Sequence, residues 1–234
     1  MKIFAVDTSA KCASAAITDE GEIKGEFFLN CMLTHSETLM PMTELLFRSC
    51  RIDPRDIDCF AVNGGPGSFT GIRIGVAQIK GMSYALGKPC VSVSTLESIA
   101  YNFQPSGGVI CCVMDARCNQ VYNALFEVKE NGVVRLCDDR ALSIEALTEE
   151  LQKLGKKITL AGDGALLCYN RMMSEISGIE IAPENIRYQR AAGVCFAAEN
   201  KFEKGDTLTS AQLMPMYLRL PQAQRELMAR KNNK

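Results

Sequence analysis

Asn63-Gly64-Gly65-Pro66-Gly67-Ser68-Phe69-Thr70-Gly71-Ile72-Arg73-Ile74-Gly75 is the stretch from which the rest of the chain is read. Residues 58–63 form an apolar run of strand length, and residues 72–86 have helical periodicity that Gly87-Lys88-Pro89 stops. Four glycines between positions 64 and 71 permit positive φ and close backbone approach. A strand, a glycine turn and a helix in this order bring backbone amides and a positive helix end together, which suits an anion. The candidates for nucleotide or anion contact are therefore Asp7, Thr8, Ser9, Gly65, Gly67, Ser68 and Thr70. Known phosphate motifs fit poorly. No lysine stands where a P-loop needs one, and Thr70 stands where the dinucleotide fingerprint needs glycine. A tight structural turn accounts for the same residues.

The helix after the loop carries small residues four apart: Gly71 and Gly75, then Ala77, Gly81 and Ala85. A glycine inside a helix costs about 0.5–1 kcal/mol relative to alanine, so three of them mark a close contact, within the fold or between subunits. Partner-interface candidates on this helix are Arg73, Ala77, Lys80, Gly81 and Tyr84. A second helix opens at Thr34-His35-Ser36-Glu37, which has capping-box spacing, and adds His35, Thr38 and Met42. Leu39, Met42, Leu46 and Cys50 share its apolar side, and Pro41 is expected to kink it.

Upstream, runs at 3–6, 12–18 and 22–29 read as three strands of an antiparallel meander, the first ending at Asp7-Thr8-Ser9. Downstream come a strand at 90–93 and a helix capped by Ser94-Thr95-Leu96-Glu97. After Pro105-Ser106-Gly107-Gly108 the pattern returns. A strand at 109–114 ends at Asp115, and strands at 120–128 and 133–137 flank a hairpin signal at Glu130-Asn131-Gly132. A helix at 144–154, a strand at 158–161, the turn Gly162-Asp163-Gly164 and a further helix follow, with another helix near 191–202. This order implies two related lobes, 1–105 and 106–221, and a tail at 222–234. The tail holds Arg225, Arg230, Lys231 and Lys234 and reads as a frayed end, with an RNA-touching arm as the alternative. Asp7 and Asp115 sit where a carboxylate could hold hydrated magnesium or simply brace a turn.

Composition narrows the chemistry. The 234 residues are 47% hydrophobic and 23% charged, with a net charge of −1, so no global basic field grips nucleic acid. Eleven cysteines lack metal or redox spacing and read as reduced core residues. A single histidine, His35, excludes two-histidine metal motifs. The early acid at Asp7 and the absence of a long apolar run point to a cytoplasmic protein without a membrane segment.

Residues 65–75 resemble the hallmark of the TsaB (YeaZ) family of tRNA threonylcarbamoyladenosine biosynthesis proteins. So do Ile3–Ser9, His35–Leu39, Ser94–Ala100, Met114–Arg117 and Pro215–Arg219, in order along nearly the whole chain. The resemblance implies the actin-like (sugar kinase, Hsp70, actin) ribonuclease H-like α/β fold with duplicated lobes. It implies a non-catalytic partner of the transferase TsaD, acting with the ATPase TsaE and meeting tRNA only within that complex. It further implies homodimers when alone and no cofactor required by this chain, with ATP or ADP in the complex. TsaD carries a His-x-x-x-His metal site; here Leu39 stands four residues after His35, so that site cannot form. The alternatives are an actin-fold ATPase or small-molecule kinase acting alone, or a peptidase using Ser68 or His35.

Overall fold

Strand β1 (Lys2–Asp7) is apolar on both faces because both are covered. It pairs antiparallel with β2 (Ala13–Asp19), which pairs antiparallel with β3 (Glu22–Leu29), giving the expected meander. On its other side β1 runs parallel to β4 (Cys59–Gly65), and β4 parallel to β5 (Cys90–Ser94). The first sheet therefore has the order β3-β2-β1-β4-β5. Helices α1 (His35–Cys50) and α2 (Phe69–Leu86) cover one face and bury Phe4, Val6, Leu39, Leu46, Phe60, Val62 and Ile72. The computed structural model describes residues 1–104, 107–130 and 132–219. Pro105, Ser106, Asn131 and the basic tail thus lie outside the described residues.

The second lobe repeats the arrangement. Strands β6 (Gly108–Asp115), β7 (Gln120–Lys129) and β8 (Gly132–Arg135) form the meander, and β10 (Ile158–Ala161) and β11 (Ile179–Ile181) add in parallel. The order β11-β10-β6-β7-β8 is that of the first sheet, strand for strand, so duplication is visible in topology where residue identity is weak. Helices α4 (Ile144–Leu154) and α5 (Ala165–Met172) cover its outer face.

Several sequence expectations shift. Helix α2 starts at Phe69 rather than Ile72, because the Ser68 hydroxyl accepts Gly71 N at 3.2 Å and caps it there. Helix α1 runs through Pro41 from His35 to Cys50, and the Thr34 side chain makes no cap bond despite its spacing. Strand β9 (Arg140–Ser143), which pairs with β7, lacks a run long enough to be read as a strand. Past the one-turn α6 (Glu184–Arg187), the largest difference concerns α7 (Ala191–Glu203). Read as part of the second lobe, it lies on the first sheet, packing Ala191, Val194, Cys195, Ala197 and Ala198 on Ile3, Ala5, Ala61, Val91 and Val93. Beside it, α3 (Thr95–Tyr101) packs Leu96, Ile99 and Ala100 against Ile110, Met114 and Phe126 of the second sheet. The two helices form a shared layer between the sheets, close enough that a side chain on Gly193 would strike Ser98 O.

All eleven cysteines are free; seven are buried, and only Cys31 and Cys118 are exposed. No helix among the described residues is long and apolar enough to cross a membrane.

Candidate functional site

The C-terminal ends of β1 and β6 face each other across a cleft of about 410 Å³ between the lobes. Each strand ends in an aspartate that braces its own turn. Asp7 accepts Ser9 N at 2.8 Å, and Asp115 accepts Arg117 N at 2.7 Å. Asp7 is completely buried. It also accepts the Ser9 hydroxyl at 3.0 Å and the Asn63 amide, and Asn63 in turn donates to Ser98 Oγ at 2.8 Å. Burial holds the Asp7 carboxyl above its ordinary pKa, and the bonds from Ser9 and Asn63 only partly offset that.

The glycine loop is packed against this turn. Ser68 N donates to Ser9 O at 2.6 Å, and a Cβ on Gly67 (φ +154) would collide with the same carbonyl. Thr8 Oγ1 donates to Gly71 O at 2.7 Å, and a Cβ on Gly75 would come within 2.6 Å of that hydroxyl. Gly65 (φ +134) is crowded from the other side by Met216 O, while Met216 N donates to Gly64 O at 2.7 Å. The loop is thus a close-packing device joining β1, β4, α2 and the chain's last described segment.

That segment is a strap across the first lobe. Leu208 pairs with Cys90 on edge strand β5, Leu213 is buried in the first core, and Lys80 donates to Leu213 O at 3.2 Å. Tyr217 stacks on Phe69 at 4.8 Å. Arg73 lies 3.7 Å over the Phe69 ring and donates to Tyr217 Oη at 2.7 Å. Arg219 then reaches the second lobe at Ala116 O, 3.2 Å away.

The interface candidates separate into two sets. Met42 is buried in the first core, and His35 Nε2 is bonded to Ala10 O at 2.7 Å. Arg73 and Lys80 are engaged with the strap, and Thr38 is half-buried. Ala77, Gly81 and Tyr84 are exposed on α2, Tyr84 to 79%, and a Cβ on Gly81 would meet nothing within 4 Å. Thr70 is exposed at the start of α2, whereas Thr8 and Ser9 are buried.

Sequence reasoning passed over other cleft residues: Lys11, Asp163, Tyr217 and Arg219. Asp163 lies in the Gly162–Gly164 turn, accepts Asp115 N at 3.2 Å, and is pushed up by burial to about 6. Its glycine flanks were the available signal.

Residues 30–226 match the family model of TsaD, tRNA N6-adenosine threonylcarbamoyltransferase. The tRNA threonylcarbamoyladenosine biosynthesis protein TsaB of Bacillus subtilis is 30% identical over 226 residues, 96% of each chain. The chain belongs to the TsaB family. The TsaB of Escherichia coli is 28% identical over 94% of this chain and 95% of that one. YeaZ from Pseudomonas aeruginosa superposes with a TM-score of 0.78 at 22% identity, covering 93% of this chain and 99% of that one. Component A of (R)-2-hydroxyglutaryl-CoA dehydratase from Acidaminococcus fermentans shares the fold more distantly, with a TM-score of 0.52 at 11% identity, covering 88% and 99%. The architecture is the actin-like α/β fold expected for the family.

That fold implies a nucleotide between the lobes, and two of the residues singled out for it, Asp7 and Ser68, are already committed within the chain. The Asp7 carboxylate is sealed from the cleft with its oxygens already bonded. The Ser68 amide and the Ser68 hydroxyl are both engaged within the chain.

Proposed function

We propose that this chain is a non-catalytic subunit of the cytoplasmic assembly that makes threonylcarbamoyladenosine in tRNA, where it docks on and supports the transferase TsaD together with the ATPase TsaE. It pairs with itself when TsaD is absent, meets tRNA only within the complex, and requires no cofactor of its own, ATP or ADP serving the complex. The observation that carries this reading is Gly81. Gly71 and Gly75 are explained by Thr8 inside the fold, but Gly81 costs helix stability with no internal neighbour to accommodate. With Ala77 beside it and Tyr84 one turn on, it leaves a flat strip on which a partner helix can seat closely. The lone imidazole, turned onto a backbone carbonyl, supports a docking role rather than chemistry.

Gly81→Arg and Ala77→Glu should each abolish co-elution with TsaD while leaving the chain's own melting transition within about 1 kcal/mol of the parent, as for surface substitutions generally. Undiminished co-elution rules the face out. A tRNA modification assay with and without this chain then tests the role itself.

The reading as an independent ATPase or kinase draws on the polar walls of the interlobe cleft, where Lys11, Asp115, Arg117 and Asp163 meet. Nucleotide turnover by the isolated chain separates the two: sustained hydrolysis favours the enzyme, and its absence the subunit.

A further inference from the structure

The strap runs antiparallel along α2. Leu208 stands by the C-terminal end of the helix, bridged to Cys90. Lys80 donates to Ala211 O at 3.4 Å and to Leu213 O at 3.2 Å, and its ammonium lies 3.9 Å from Met214 Sδ. Phe69 and Arg73, near the N-terminal end, hold Tyr217. On its other flank α2 meets α1, where Gln78 donates to Thr43 Oγ1 at 2.7 Å. Successive residues of a helix turn by about 100°, which places exposed Ala77 and Gly81 between the Lys80 side and the Gln78 side. These small residues are therefore the floor of a trough, with α1 as one wall and the strap as the other.

The strap wall is apolar. Met214, Met216, Tyr217 and Leu218, all between positions 214 and 218, are between 39% and 62% exposed, and Tyr84 at the far end of the floor is 79% exposed. Single exposed hydrophobes are ordinary, but a contiguous row of them marks a contact surface. Charge on this side has one sign. Neither α2 nor residues 208–219 contain an acid, and together they carry Arg73, Lys80 and Arg219. Such a wall complements an apolar helix flanked by carboxylates. The span matched by the TsaD family model takes in α1, α2 and the strap, so the transferase is built with helices of the same kind to present.

We infer that the strap is the second wall of the docking trough, and that a TsaD helix lies along α2 and packs on Met214 as well as on Ala77 and Gly81. This rests on the subunit reading above and adds to it a binding element far from α2 in sequence. Arg73 and Lys80 already hold the strap in place. The wall is thus preformed, and docking loses little entropy in ordering it.

The test uses the full chain and purified TsaD. Met214→Glu puts a carboxylate on the wall and should raise the Kd for TsaD by about tenfold in calorimetry. Its melting transition should match the parent's, because Met214 is 62% exposed. Met214→Leu should bind as the parent does. So should the control Met173→Glu, which alters a comparably exposed methionine on α5. A second measurement does not depend on affinity. In a Cys31→Ser/Cys118→Ser background, which removes the two exposed thiols, a maleimide should label Met214→Cys severalfold more slowly once TsaD is saturating. A Met214→Glu chain that binds TsaD as tightly as the parent, or labelling that TsaD does not slow, overturns the inference. So does loss of self-pairing with TsaD affinity intact, which would assign the wall to a second copy of this chain. A parent chain that fails to bind TsaD at all would instead sink the subunit reading itself, so the two failures are told apart.

Discussion

At the scale of single residues, the glycine loop is governed by what its neighbours leave no room for. Gly65 faces Met216 O and Gly67 faces Ser9 O, both at positive φ. Alanine at either position meets backbone that cannot move aside. Gly65→Ala or Gly67→Ala should each cost at least ~2 kcal/mol in urea unfolding, more than the loss for an ordinary surface exchange. Asp163 makes a pH-dependent prediction. Its folded pKa of about 6 exceeds the ordinary carboxylate value, so the folded state binds this proton more tightly than the unfolded state. Its contribution is favourable at low pH and is lost as pH rises from about 4 through 6. Asp163→Asn can keep the bond from Asp115 N without the buried charge. It should therefore be more stable than the parent at pH 7, by about 1–2 kcal/mol, and melting scans from pH 4 to 7 should show a flatter profile for this group. A variant no more stable at pH 7 than the parent would contradict the burial argument.

At the scale of elements, helix α2 serves two surfaces, and substitutions should sort accordingly. Gly75→Ala presses on the Thr8 hydroxyl and should destabilise the fold by about 1–3 kcal/mol. Gly81→Ala meets open space and should stabilise it by about 0.5–1 kcal/mol. Opposite signs in paired chemical melts check the assignment. The same helix shows how far the sequence could be read. Its existence, its stop at Gly87 and its spacing of small residues were legible, because periodicity and punctuation are local. Which glycine faced inward was not, since that depends on Thr8, more than sixty positions away. Likewise Met42 and Lys80 carried the side-chain chemistry of contact residues, but one is core and the other holds the strap. Strand β9 is four residues long and carries an arginine, too little pattern for a local rule to find.

For the molecule as a whole, the lobes are held together on several sides. Besides the strap, Arg135 of β8 pairs with Glu97 of α3 at 3.2 Å and with Asp139 at 2.5 Å, and Asp139 accepts Ser94 Oγ. Arg135→Ala leaves two half-buried carboxylates without their cation and should lower unfolding stability by about 2 kcal/mol. A melt indistinguishable from the parent would show the clasp to be incidental. The duplicated strand order was readable from the succession of elements. The exchange of α7 was not, because an alanine-rich helix fits either sheet equally well by composition.

Helix α7 also sets a timetable. A ribosome finishes β5 roughly a hundred residues before it supplies the helix that roofs the first sheet, a wait of about 5–20 s at ordinary elongation rates. Through that interval Ile3, Ala5, Ala61, Val91 and Val93 have no cover. The nascent chain thus carries a naked apolar floor until its final quarter emerges, and the first half cannot be completed without the second.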